Sequence, residues 1–313
     1  MTNDTGSERS PHSVLCLPQG IPVELVPDLE LLENSELPNG LIDVTAAPFN
    51  ADPRGEIDST SAIQEAVISG REHKHAVYFP AGTYLVSDTI ACVAGWTEER
   101  TPLRRYLPHC EYWPCVLLGA RGGDRPRIVL AEHSPGFADP EHPKPILDFY
   151  SRNWARPKHG QAPPPGRQGN VNFHQTLLGV DIDVGPRNPG AACVSFDAAE
   201  GSSLQDCRFA IIEGHAGVLR GPGCGAVLAN LEFFGGDVGL IADSGRPPAT
   251  TVGCRFGGQR LSAVRKSHRA NLTLAGCSFD LPRGVHAVRS YPVASAASRS
   301  PTAGSPTSQG RRR

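Results

Sequence analysis

Leu177-Leu178-Gly179-Val180-Asp181-Ile182, Leu204-Gln205-Asp206-Cys207-Arg208-Phe209, Leu228-Ala229-Asn230-Leu231-Glu232-Phe233, Thr251-Val252-Gly253-Cys254-Arg255-Phe256 and Leu274-Ala275-Gly276-Cys277-Ser278-Phe279 are five versions of one hexapeptide. Their last residues are separated by 27, 24, 23 and 23 positions. A second set of short apolar runs, around Val194, Val218, Leu240, Val264 and Val288, keeps nearly the same period. Two short strands per turn at a constant turn length describe a solenoid.

Within each unit apolar and polar residues alternate, as in Val180, Ile182 and Val184 against Asp181 and Asp183, which is the period of a strand and not of a helix. The stretches between the strands are rich in Gly, Pro and Asn and too short for crossover helices. The sequence therefore predicts an all-β, single-stranded parallel β-helix in which successive coils rise by about 4.8 Å. Equivalent residues then stack. One interior column holds Val180, Cys207, Leu231, Cys254 and Cys277; the next holds Ile182, Phe209, Phe233, Phe256 and Phe279. Between them Asp181, Arg208, Glu232 and Arg255 face outward, with Ser278 ending the series. Alternating charge at one-coil spacing forms either a ladder of surface ion pairs, each contributing about 0–1 kcal/mol, or a groove for a charged polymer.

The same columns explain the cysteines. The chain has nine, yet Cys207, Cys254 and Cys277 share one core column, where a thiol behaves as a small apolar group. Cys110 and Cys115, beside His109, lack a second ligand pair at metal-site spacing, so no metal site and no cofactor is expected. Composition excludes other classes. With 6% aromatic residues, 34 Gly, 29 Pro and no apolar run near the roughly 20 residues of a membrane span, no membrane partner is expected. A net charge of −2 argues against a nucleic-acid partner. Residues 1–12 do not show the basic and then apolar pattern of a secretory signal, which leaves localisation open between the cytoplasm and export by another route.

Ahead of the repeats, Asp58-Ser59-Thr60-Ser61-Ala62-Ile63-Gln64-Glu65-Ala66-Val67-Ile68 begins with capping residues and carries one apolar stripe. Ser61 and Gln64 have capping-box spacing, Asp58 or Ser59 competes for the cap, and Gly70 is placed to terminate the helix. Such a helix suits the open end of a solenoid, whose core would otherwise meet water. Ala76-Val77-Tyr78-Phe79-Pro80-Ala81-Gly82-Thr83-Tyr84-Leu85-Val86 then reads as strand, turn and strand.

These elements, with Ile42-Asp43-Val44 and Ala51-Asp52-Pro53-Arg54-Gly55-Glu56-Ile57-Asp58-Ser59-Thr60 before them, resemble the opening of the pectate-lyase-like domain of rhamnogalacturonase/epimerase-type proteins and family 55 glycoside hydrolases, a group related to family 28. The resemblance is close over residues 42–90 and looser to about 289. It implies a right-handed β-helix working on or near polysaccharide or oligosaccharide, and it assigns no catalytic residue. Asp52, Gly55 and Asp58 read most simply as turn and cap residues.

Candidate site residues come from two places. Asp181 and Asp183 share one outward strand face about 7 Å apart, within the range used by acid/base carboxylate pairs, or they are simply solvated surface. Trp96, Trp113 and Trp154 fall in long interruptions beside Tyr106, Tyr112 and Tyr150; they either stack on sugar rings or pack the loops on the wall. With the outward Arg208 they are the candidate substrate-binding residues. The string Glu213-Gly214-His215-Ala216-Gly217 departs from the Gly-His-Gly motif of polygalacturonase-type hydrolases, and no role is carried over from it.

The expected organisation is a polar leader over 1–40, the β-helix over 41–289 and a disordered Ser/Pro/Arg-rich tail over 290–313. Five or six coils are few for this architecture, so the chain is either a shortened member or another copy of it covers the C-terminal end. The function expected is a polysaccharide hydrolase or lyase using Asp181 and Asp183. The rival is a non-catalytic glycan-binding or structural β-helix, and a third reading is an intracellular sugar-modifying protein.

Overall fold

The computed structural model describes residues 40–94, 114–121, 123–151, 172–221, 223–242, 249–268 and 270–291. These residues build three parallel sheets whose strands stack in chain order. The first sheet has eight strands, from Leu41–Asp43 to Leu272–Ala275; the second has eight, from Arg54–Asp58 to Ser278–Asp280; the third has seven, from Ile90–Ala94 to His286–Tyr291. The fold is an all-β parallel β-helix. Each coil after the first contributes a strand to all three sheets, not the two expected, and the eight strands of the first and second sheets exceed the five or six coils counted from the repeat. The first coils escape the count because their equivalent residues Tyr84, Ile128 and Ile182 are 44 and 54 positions apart, the coil period being broken by insertions.

The phenylalanine column stands as read. Phe209, Phe233, Phe256 and Phe279 are in register on adjacent strands of the second sheet. The Phe233 and Phe256 rings stack with centroids 4.6 Å apart, and the Phe256 and Phe279 rings at 5.3 Å. Phe209, Phe233 and Phe256 are buried, but Phe279 keeps 38% of its surface exposed because it belongs to the last described coil. Cys277 is likewise only partly buried there, while Cys207 and Cys254 are fully enclosed free thiols whose pKa burial pushes up to about 12.

A chemical rule sets the corner before each of these strands. Gly179, Asp206, Asn230, Gly253 and Gly276 all have φ between 53° and 70°, a left-handed conformation that Gly, Asn and Asp tolerate best. Stacked on one another, Asn230 donates its amide to the Asp206 carboxylate at 3.1 Å. At Gly253 an added Cβ would stand 2.7 Å from the Asn230 amide oxygen, which would have to shift.

The helix Thr60–His73 closes the N-terminal end with Ile63, Ala66 and Val67 buried against the first coils. Three details differ from expectation. The helix runs through Gly70 and stops at the left-handed Lys74, because Gly70 serves packing: a Cβ there would come within 2.7 Å of the Val77 side chain. Ser59 is the N-cap residue, but its hydroxyl makes no capping bond and instead accepts the Asp52 N–H at 2.9 Å. Gln64 takes no part in a capping box. Its side-chain amide donates to the Ala91 carbonyl at 3.1 Å and its oxygen accepts the Ala91 N–H at 2.7 Å, pairing the edge strand of the third sheet as a neighbouring strand would.

The strand His286–Tyr291 continues two residues beyond position 289, with the Arg265 guanidinium 5.5 Å from the centre of the Tyr291 ring. Residues 1–39 and 292–313 lie outside the described residues. No described helix is long and apolar enough to cross a membrane.

Candidate functional site

The outward face of the second sheet carries the chemistry. Strand alternation places Ile128, Ile182, Phe209 and Phe233 inward, so Arg127, Asp181 and Asp183, Arg208, Glu232 and Phe234 face out on successive coils. Asp181 and Asp183 are set side by side as the sequence reading requires, on a three-residue strand with Arg127 of the preceding coil opposite Asp181.

Each carboxylate has its own arginine. Arg125 brings Nε within 3.3 Å of one Asp181 oxygen, and Arg127 brings a guanidinium nitrogen within 3.1 Å of Asp183. Asp181 also accepts the backbone N–H of Arg208 at 2.8 Å. Their side chains are only 17% and 25% exposed, and this burial pushes the pKa of both above the usual aspartate value. For Asp181 the Arg208 N–H and the Arg125 charge oppose the rise, and for Asp183 chiefly the Arg127 charge does. Desolvation wins at both positions. A carboxyl so tuned exchanges a proton at a higher pH than a free aspartate, which is what a general acid needs.

Arg208 plays a different part from the one in the charge ladder. Its guanidinium lies 4.5 Å from the centre of the Phe234 ring, a cation–π contact. The nearest ladder pair, Glu232 with Arg255, is loose at 3.9 Å. Arg125 additionally donates to the Asp206 carbonyl at 2.7 Å, and Arg121 pairs with the Asp206 carboxylate at 2.8 Å, so the arginines before the Asp181 strand are anchored to the corner column.

Phe234, Arg125 and Arg127 were not singled out from the sequence. Phe234 had a signal, the Phe233-Phe234 doublet, in which alternation sends one ring inward and its neighbour outward. The arginines had none, because their coil sits ahead of the regular period. Trp96, Trp113 and Trp154 lie outside the described residues. His215 is not brought to the carboxylates: it precedes the strand Ala216–Leu219 of the third sheet, where its Nδ1 is 3.2 Å from Asp237, itself held by Arg260 at 2.9 Å. Burial lowers the His215 pKa against the opposing pull of Asp237. Among the described residues no group of three or more His, Cys, Asp or Glu is placed to hold a metal ion.

Residues 44–120 match the family model described as rhamnogalacturonase A/epimerase, pectate lyase-like. That stretch is similar to a pectate-lyase-like domain of that type. Over 217 residues it is 24% identical to a protein of Arthroderma benhamiae named "Probable glucan endo-1,3-beta-glucosidase", a match that covers 62% of this chain and 20% of the relative. The chain thus spans about a fifth of the length of the curated relative it matches. Among solved structures it is similar to PfbA, a surface adhesin of Streptococcus pneumoniae, at a TM-score of 0.44 and 14% identity, covering 76% of this chain and 62% of the other. It is also similar to the A-module of the mannuronan C-5 epimerase AlgE6 of Azotobacter vinelandii, at a TM-score of 0.28 and 14% identity, covering 79% of each chain.

Proposed function

We propose that this chain acts on a polysaccharide, as a hydrolase or lyase, with the outward face around Asp181 and Asp183 as its active site. The observation that carries the reading is the pair of carboxyl groups on one strand, both desolvated enough to have raised pKa values and both still in contact with water. In this reading Asp183 is the acid that gives its proton to the departing sugar oxygen. Asp181, fixed by the Arg208 N–H and by Arg125, is the group that takes a proton on the other side of the bond. Support comes from the pectate-lyase-like domain and from the name of the Arthroderma relative, which points to β-1,3-glucan as the first substrate to try. Trp96, Trp113 and Trp154 are proposed to bind sugar rings, and a second copy of the chain to cover the C-terminal coil.

The ion pairs with Arg125 and Arg127 favour a second reading, in which the same face binds a glycan without cleaving it. A panel of neutral and uronate polysaccharides assayed for new reducing ends and for unsaturated uronate separates the two. Turnover that is abolished by Asp183→Asn with binding retained supports catalysis. Turnover that survives both Asp181→Asn and Asp183→Asn removes the pair, and no turnover on any polymer moves the reading to binding alone.

A further inference from the structure

From Asp183 the outward column continues through Ala210, Phe234, Gly257 and Asp280 on the next coils. Its composition is uneven. Ala210 itself places no long side chain between Asp183 and Phe234. Phe234 retains 36% of its surface in water although it neighbours the core phenylalanine of its own strand, and the Arg208 guanidinium holds the ring in place.

Gly257 is the unexpected member. Its φ is not in the left-handed region, so the backbone does not require glycine. Packing does not require it either, since a Cβ built there would meet only the backbone oxygens of Asp280 at 3.9 Å and Phe233 at 4.0 Å. A side chain would fit and none is present. The neighbouring Gly258 would likewise meet only Gly235 backbone atoms, the nearest at 3.7 Å. The surface beside the Phe234 ring is therefore bare backbone, bounded on the next coil by the exposed Asp280.

We propose that this notch over Gly257, between the Phe234 ring and the exposed Asp280, binds one pyranose unit of a glycan that runs along the helix axis across the Asp181/Asp183 face. An aromatic ring offers an apolar face to the C–H side of a sugar, and a carboxylate accepts its hydroxyl protons. The coil rise of about 4.8 Å puts Phe234 about 10 Å and Gly257 about 14 Å from Asp183 along the axis. Each coil thus advances by close to the length of one sugar in an extended glycan. The notch has a charge of each sign at its edges, the Arg208 guanidinium at the Phe234 ring and the exposed Asp280 on the next coil. The notch lies about three sugar units from the bond acted on. The subsite rests on reading this face as a glycan site, but its test reads affinity and not turnover.

The experiment titrates β-1,3-linked gluco-oligosaccharides from disaccharide to hexasaccharide into the Asp183→Asn protein by calorimetry, with and without a second substitution. Phe234→Ala removes the ring, and Gly257→Leu fills the notch at a backbone conformation leucine adopts; an unchanged melting temperature confirms folding of each. The expected result is an affinity that rises with length, and a loss of about tenfold for the hexasaccharide in both double variants with the disaccharide unaffected. Hexasaccharide affinity unchanged in both, an equal loss at every length, or no binding of any oligosaccharide overturns the subsite, whatever turnover assays show. A length-dependent loss in a protein without turnover upholds the subsite while removing the catalytic role of Asp183.

Discussion

Arg127 reaches across one coil to hold Asp183 at 3.1 Å, and its charge is the main force opposing the burial that raises the Asp183 pKa. Removing the arginine therefore moves that pKa in a known direction. If protonated Asp183 is the acid, activity falls at high pH as it ionises. Arg127→Ala should shift the alkaline limb of the kcat/KM profile upward in pH, and Arg127→Lys should largely restore it. A limb that stays in place or moves to lower pH would show that the acid is another group.

Asp52 makes the opposite kind of statement. Arg54 Nε donates to it at 3.0 Å, and the backbone N–H groups of Glu56 and Ile57 donate at 2.9 and 3.0 Å, which together lower its pKa from 3.8 to about 2. A depressed folded pKa means that the stabilisation is fully present above the ordinary value of 3.8 and fades as pH falls toward about 2. Asp52→Asn should melt below the parent at neutral pH, and the two curves should converge between about pH 4 and 2. A gap that is the same at every pH would mean that the turn uses the shape of Asp52 and not its charge.

The aromatic stack predicts unequal costs for equal chemistry. Phe233 is enclosed between Phe209 and Phe256, and its replacement by alanine should cost about 3–5 kcal/mol in urea unfolding. Phe279 has a ring neighbour at 5.3 Å on one side and 38% of its surface in water, so Phe279→Ala should cost less than half as much. Equal losses would show that the last coil is covered in solution, as a second copy of the chain would cover it.

Much of this architecture was legible because a parallel β-helix repeats its constraints. The regular coils each present an apolar residue inward and turn at a left-handed corner, so Phe209, Phe233 and Phe256 and the Asp206, Asn230 and Gly253 corners recur at nearly one period. The candidate site was legible in half. Asp181 and Asp183 lie inside the regular repeat, and alternation alone sends them outward together. Arg125 and Arg127 meet them through hydrogen-bond register between coils separated by a long insertion, a relation that no local spacing encodes. Gly70 and Gln64 misled for another reason: at both positions packing against a distant strand overrode a local helix-end signal.

Gln64 gives the sharpest test of that last point. As one half of a capping box its loss would fray the first turn of the helix, and glutamate would serve as well as glutamine. As a mimic of a strand neighbour it must both donate to the Ala91 carbonyl and accept the Ala91 N–H, and only an amide does both. Gln64→Glu keeps the acceptor and turns the donor into a second acceptor facing the carbonyl at neutral pH. We expect Gln64→Ala and Gln64→Glu each to lower stability by about 1–3 kcal/mol. Amide exchange at Ala91 should accelerate in the alanine variant while staying protected in the glutamate variant. The glutamate penalty should shrink in acid, where the protonated carboxyl regains a donor. A Gln64→Glu protein as stable as the parent at neutral pH would return Gln64 to a local helix role and leave the Ala91 edge without its partner.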